Sequence, residues 1–328
     1  MDHRSTLDPQ HRSASRHLEA QHRRPAQLTD HMTNFSALIE HWFEDASLQR
    51  VTPLHGGVSA EVHRVDLLLG NQTPFSLVVR EHGSQHSGHP VAIEHALLSA
   101  LVELGLPVPR VLFADTTGAF SNNPFLALDF IEGDTILVPE QLEPRIDQAA
   151  TLLATIHQQS ITSLPDLPQR VDPLPEIFEF WPGGKEWRPL KHFLESAVLP
   201  LYPSTLQLLH GDFWPGNLVW HNNQIRAAID WEDAAIGDPM SDLAASRLEF
   251  RYLVGQSGMR AFTACYEQHQ PIDWPRLALW QVYVAAAAQH YMGEWGLPKD
   301  RENHMRNVAL TTIREAASSL LGQAPLPC

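Results

Sequence analysis

Between Leu206 and Pro239 the chain repeats one device. Short apolar stretches, LQLL, LVW and IRAAI, alternate with polar loops, HGDFWPGN and HNNQ, and the last stretch ends in Asp230. Such runs are too short for helices, and Pro215, Gly216 and the Asn pair interrupt them, so they read as strands joined by turns. The first loop presents His210, Asp212 and Asn217. Two short strands joined by HNNQ would then hold Asp212, Asn217 and Asp230 around one point.

Polar turns are common, and Asp and Asn form them readily. The intervals suggest more than a turn. Moving a γ-phosphoryl group requires a carboxylate to orient the attacking hydroxyl, oxygen ligands for Mg²⁺ and positive charge on the phosphates. Mg²⁺ takes a few carboxylate or amide oxygens and completes its shell with phosphate oxygens and water. Asp212 can serve as the base, and Asn217 with Asp230 as metal ligands. The spacing D-x-x-x-x-N, with a further Asp one strand-turn-strand later, suits that arrangement.

The rest of the chain supplies two contrasting parts. From Asn34, the residues Phe35, Leu38, Ile39, Trp42 and Phe43 recur at helical spacing, with Asn34 as cap. VTPLHGGVSAEVHRVDLLLG reads as a hairpin turning at Gly56-Gly57, and FSLVVR as a third strand. HPVAIEHALLSALVELG reads as a helix, opened by Pro90 and closed by Gly105. PVPRVLFAD and FLALDFIEG are further strands. Beyond Pro144 most segments are helical, among them SDLAASRLEFRYLVG and AFTACYEQHQ as two separate helices, apart from residues 163–190, which read as loop or broken helix. The predicted fold class is therefore α+β, with two lobes. Residues 1–32 are expected to form a disordered tail, residues 33–131 an N-terminal lobe with an antiparallel sheet and one main helix, and residues 132–328 a larger, mostly helical lobe. The join falls near Asp129–Asp134.

HGDFWPGNLVW followed by AIDWEDAAIGDPMSDLA resembles the aminoglycoside phosphotransferase family of the protein-kinase-like fold, which is related to choline, homoserine and methylthioribose kinases. The resemblance runs from about residue 50 into the C-terminal helices. It implies an ATP- and Mg²⁺-dependent kinase acting on a small-molecule hydroxyl, with residues 33–131 as the nucleotide-binding lobe and residues 132–328 as the catalytic and substrate-binding lobe. Asp212 matches the catalytic Asp, Asn217 the metal-binding Asn, and Asp230 the Asp of the kinase D-F-G motif. His210 matches a packing residue that hydrogen-bonds rather than reacts. Asp238 and Asp242 match structural acidic positions, with Asp242 expected to cap a helix and brace the catalytic loop. HGGVSAEV is similar to the phosphate-covering loop, through Gly56, Gly57 and Ser59. Arg80 falls where the nucleotide-phosphate Lys sits, and Glu94 where its pairing Glu sits. Leu128 to Ile131 form the implied hinge, so Asp129, Phe130 and Ile131 are expected at the adenine. The pattern also departs from the family: Arg80 replaces Lys, Ala60 stands at a position often polar, and D-F-G reads Asp230-Trp231-Glu232. Only 12 residues separate Asp230 from Asp242, with no A-P-E sequence, too few for a peptide-docking activation segment.

Charge and composition narrow the partners. The net charge of −15 argues against nucleic acid. Residues 33–139 hold 4 basic and 12 acidic residues and residues 140–328 hold 14 and 22, so the acidity is spread evenly, as solubility requires. Two cysteines, Cys265 and Cys328, make neither a disulfide framework nor a zinc set, which suits a cytoplasmic setting. No apolar run approaches membrane-spanning length, and the Arg- and His-rich start lacks a signal-peptide h-region. Glu232 and Asp233 read as solvated or structural. Trp274, Trp280 and Trp295 read as core, and Glu249 and Glu294 stand on helices that could line an acceptor cleft. The acceptor stays open among a polycationic aminoglycoside, a choline-type quaternary ammonium, homoserine and a sugar. A nucleotide-binding regulator with little turnover and a metal-dependent hydrolase using His210 are the rival classes.

Overall fold

A computed structural model describes residues 34–54, 60–83, 86, 88–121, 123–181, 183–196 and 205–322. The expected tail, the Gly56, Gly57 and Ser59 loop, and Cys328 lie outside the described residues. Among those described, no helix is long and apolar enough to cross a membrane.

Helix α1 (Phe35–Trp42) starts at Asn34, whose Oδ1 accepts the Ala37 N–H at 3.2 Å. Strands β1 (Ser47–Pro53), β2 (Glu61–Leu68) and β3 (Pro74–Glu81) follow, then helix α2 (Val91–Glu103) and strands β4 (Val111–Asp115) and β5 (Phe125–Asp129). They form one antiparallel sheet in the order β1-β2-β3-β5-β4. The register sets Arg80 opposite Val62 on one side and Leu126 on the other. β1 and β2 pair from Pro53–His63 onward, as the expected hairpin requires.

Side chains alternate between the faces of a strand, and here both faces are covered. Val65, Leu67, Leu77, Val79, Phe125 and Ala127 pack with α1 into a small core. There Trp42 stacks on Phe113 at 4.5 Å. Leu126 and Leu128 point the other way, into a larger core that includes Leu97, Leu98 and Leu101 of α2. β5 thus contributes to both cores.

After β5 come β6 (Asp134–Thr135), α3 (Ile146–His157), β7 (Gln169–Arg170), α4 (Arg188–Ser196), β8 (Gln207–Leu209), β9 (Leu218–His221), β10 (Gln224–Ala228) and β11 (Ala235–Gly237). β9 and β10 form the expected hairpin, with Asn222 and Asn223 both at positive φ (51° and 64°), the conformation of a tight two-residue turn. β6 extends this pair, and β7, β11 and β8 make a third small sheet. Three long helices close the chain: α5 (Pro239–Glu267), α6 (Trp274–Tyr291) and α7 (Lys299–Leu321). The two helical segments expected on either side of Gly255 form α5, broken where Gly255 takes φ 70°, ψ −171°. The Ala285–Ala288 run of α6 is buried throughout, since small side chains let neighbouring helices approach closely. The molecule is an α+β, bilobal structure: a small antiparallel sheet with one main helix, beside a larger helical part.

Candidate active site

The loop after β8 is held from beneath. The Asp242 carboxylate is fully buried and accepts the backbone N–H of His210 at 2.7 Å and of Gly211 at 3.1 Å. His157 Nε2 lies 3.4 Å from the same carboxylate. Burial alone would raise the Asp242 pKa, but His157, with Arg170 and His210, brings it below the usual carboxylate range. The cap of α5 is Asp238, not Asp242 as expected: Asp238 Oδ1 accepts the Met240 N–H at 3.0 Å. Its other oxygen takes Arg276 Nε and Trp280 Nε1, each at 2.6 Å. Asp242 lies one turn further on, where its carboxylate meets the loop. His210 is buried, and its Nδ1 accepts the Asp212 N–H at 3.3 Å.

Gly211 allows the loop its bend. It has φ +87°, and a Cβ there would lie 2.0 Å from the Asp233 carbonyl oxygen. On this base Asn217 Nδ2 donates to Asp212 Oδ2 at 2.8 Å and to the Asp212 carbonyl at 3.0 Å. The Ile229 N–H donates to the Asn217 carbonyl at 2.9 Å, which sets Asp230 beside Asn217. Asp230 itself adopts φ +67°, a conformation few non-glycine residues other than Asn and Asp take.

Arg80 of β3 reaches into the same region. Its Nη1 donates to Glu94 Oε2 of α2 at 2.6 Å, and its Nη2 to Asp230 Oδ1 at 3.2 Å. Nη2 also pairs with Glu232 Oε2, so of the two readings of Glu232, solvated or structural, the structural one holds: its side chain is only 6% exposed. His82 Nε2 lies 3.0 Å from both Arg80 Nη1 and Glu94 Oε2, and the His82 ring stacks on His86 at 3.8 Å. The loop ahead of α2 is fastened to residues 232–234. His89 donates its backbone N–H to the Glu232 carbonyl at 3.0 Å, and its ring meets the Ala234 carbonyl at 2.8 Å.

The electrostatics follow from this crowding. Burial by itself would lower the Arg80 pKa, but Glu94, Glu232 and Asp230 together raise it above its ordinary value. Burial would raise Glu94; Arg80 and then His82 bring it below the ordinary range. Asp230 goes the other way. Burial, then the charges of Glu232 and Asp212, push it well above its ordinary value against the pull of Arg80. A carboxylate so placed gains from any added cation. Among the described residues no group of three or more His, Cys, Asp or Glu could hold a metal by itself. A site of one carboxylate and one carboxamide, completed by phosphate oxygens, is the kind Mg²⁺ accepts.

These groups open onto a cavity of about 880 Å³ between the sheet and the helical part. Arg80, Glu94, Asn217 and Asp230 line one end. Asp129, Phe130 and Ile131 line it too, as do Val62 and Val78 of the sheet. Asp212 is 8% exposed and is not a wall residue; it adjoins the cavity through Asn217. The Asp129 carboxylate accepts from Arg110 Nε at 2.6 Å, and the Arg64 guanidinium lies 4.0 Å from the Phe130 ring centre. Glu249 and Glu294 do not line the cavity. Trp280 and Trp295 are core residues, whereas Trp274 is 47% exposed. Trp214 lines the cavity, and sequence reasoning passed over it although it stands between Asp212 and Asn217.

Residues 50–280 match the APH phosphotransferase enzyme family. The chain belongs to this family. Among curated phosphotransferase relatives, viomycin phosphotransferase of Streptomyces vinaceus is 26% identical over 164 residues, covering 44% of the chain and 56% of that protein. Acyl-CoA dehydrogenase family member 10 of Mus musculus is 29% identical over 184 residues, covering 50% of the chain and 17% of the mouse protein. The chain therefore spans about half of the first and under a fifth of the second. Solved phosphotransferase-like structures agree in fold. One from Ralstonia eutropha JMP134, described as an aminoglycoside phosphotransferase, superposes with a TM-score of 0.64 at 17% identity, covering 87% of this chain and 97% of that one. A thermostable aminoglycoside phosphotransferase APH(4)-Ia in ternary complex with ADP and hygromycin B superposes with a TM-score of 0.57 at 17% identity, covering 85% and 97%.

Proposed function

We propose that this phosphotransferase moves the γ-phosphoryl group of ATP to a hydroxyl of a small molecule. One observation carries the reading: Asp212 is fixed at 2.8 Å by the amide of Asn217, which lines, with Asp230 and Arg80, a cavity large enough for a nucleotide. In this reading the lobes meet at residues 131/132, and the base lies against Asp129, Phe130 and Ile131. Gly56, Gly57 and Ser59 cover the phosphates. Arg80, steadied by Glu94, grips a phosphate through its planar fork. The Asp230 carboxylate and the Asn217 carboxamide oxygen would hold Mg²⁺, which when bound neutralises charge along the phosphates. Asp212 orients the acceptor hydroxyl and receives its proton as the new bond forms, while Asn217 keeps the carboxylate from rotating. Positioning and fixed charge supply most of the acceleration.

The test is Asp212→Asn. A lost general base costs about 10²- to 10⁴-fold, so kcat should fall by at least about 10²-fold. Mg·AMP-PNP affinity should stay within about threefold, because Asp212 does not line the cavity. A variant with near-normal kcat would remove Asp212 from the chemistry.

A further inference from the structure

Protein-kinase catalytic loops carry an arginine between their His and Asp, in the order H-R-D, and kinase activation loops are ordered when arginines pair with a phosphorylated residue. Gly211 stands at that place here, in His210-Gly211-Asp212. A guanidinium reaches the loop all the same, from another strand. Arg170 ends β7, and its Nη1 donates to the Gly211 carbonyl at 3.2 Å. Its Nη2 donates more weakly, at 3.5 Å, to the Asp233 carbonyl. The head makes no ion pair among the described residues, and its Nε is buried without a hydrogen-bond partner there. The two carbonyls are therefore what the fork serves.

Each carbonyl belongs to a different half of the site. Gly211 leads into Asp212, in the loop that also carries Asn217, whereas Asp233 lies just beyond Asp230 and beside Glu232, a partner of Arg80. The two proposed Mg²⁺ ligands thus stand on separate loops, and those loops touch at Gly211 and Asp233. The peptide joining Gly211 to Asp212 is held on both sides there, its carbonyl by Arg170 and its N–H by His210 Nδ1 at 3.3 Å. Arg170 is itself well anchored. β7 pairs in parallel with β11, Gly237 beside Arg170, and the Asp238 N–H donates to the Arg170 carbonyl at 2.9 Å. A Cβ at Gly237 would lie 2.0 Å from that carbonyl oxygen, so only glycine lets the strand lie this close.

Building on the phosphotransferase reading above, we propose that Arg170 is a positioning residue: its guanidinium clamps the loop of Asp212 and Asn217 to the loop of Asp230, and so sets the spacing of the two Mg²⁺ ligands without a phosphorylated partner. Arg170 does not line the cavity, so it acts through the loops alone.

The test follows AMP-PNP binding to the full chain by calorimetry, once with Mg²⁺ and once in EDTA. The ratio of the two affinities reports how well Asn217 and Asp230 share an ion. Residues that orient metal ligands from behind typically account for about 10- to 100-fold in metal affinity. Arg170→Ala should therefore reduce the ratio by about tenfold or more, while affinity in EDTA stays within about threefold. Arg170→Lys keeps the stem and the charge but offers a point rather than a fork. It should fold like the native chain and still lose about threefold or more of the ratio. Without nucleotide, hydrogen exchange at the Gly211 and Ile229 amides should quicken in both variants. The proposal is overturned if Arg170→Ala leaves the ratio unchanged, if both affinities fall alike, which would make Arg170 a packing residue, or if Arg170→Lys keeps the native ratio. It is overturned as well if neither amide exchanges faster. Should Arg170→Ala fail to fold, Arg170→Lys decides alone. A native chain that binds AMP-PNP equally well with Mg²⁺ and in EDTA would instead refute the metal site of the phosphotransferase reading, and the exchange rates would then judge the clamp by themselves.

Discussion

Arg80 is the residue on which most of the buried charge converges. Its guanidinium answers Glu94, Asp230 and Glu232, and the first and last of these are nearly sealed from water. Removing one member of such a set leaves the others uncompensated, at a cost of about 3–5 kcal/mol. Arg80→Met should therefore lower unfolding stability by about that amount in urea titrations. Adding Glu232→Gln should recover part of the loss, and failure to recover any would mean that Glu232 does not rely on Arg80 for its charge compensation. The partnership with Glu94 was legible through the family resemblance, which sets Arg80 and Glu94 at paired positions. Glu232 was not legible, since 152 residues separate it from Arg80 and nothing local marks its direction. Asp212 and Asn217 were legible because five residues of loop hold both. The expected cap was placed one turn too late, as GDPMSD offers two aspartates and only the fold selects Asp238.

At the scale of elements, turn chemistry carried well from sequence to structure. The Asn222-Asn223 turn, the Asn34 cap and the Gly105 stop all depend on residues whose local preferences are strong. The break inside α5 was read as a separation of helices, since a glycine gives no sign of whether the chain resumes on the far side. Gly255 takes φ 70°, ψ −171°, a region almost closed to other residues, and no atom lies within 4 Å of where its Cβ would be. Gly255→Ala should therefore cost about 1–3 kcal/mol in urea unfolding, through backbone strain alone. A neutral result would mean that the helix can straighten there. Gly211→Ala should be worse, because its Cβ meets the Asp233 carbonyl as well, and kcat should fall along with stability.

At the scale of the whole molecule, acid sensitivity should run through Asp242. Its folded pKa is below the ordinary value, so its ionised form contributes stability above the unfolded pKa of about 3.9. That contribution is lost as pH falls from there through the lower folded value. Asp242→Asn should be less stable than the native chain at neutral pH, and the gap should narrow below about pH 4. A gap independent of pH would assign the loss to shape rather than charge. The overall α+β, two-lobed order was legible because helical and strand periodicities separate cleanly along the chain. Of the cavity walls, Arg80, Glu94, Asp129, Phe130, Ile131, Asn217 and Asp230 were legible through the family resemblance, whereas Leu137, Trp214 and Arg64 were not, because they come from segments that meet only after folding.

β5 is one strand with a foot in two interiors, Phe125 and Ala127 on one side and Leu126 and Leu128 on the other. Neither interior can come apart without pulling at the strand that closes the other. Heating should therefore give a single calorimetric peak rather than two, and the wall behind the cavity should be among the last parts of the molecule to exchange its amide hydrogens.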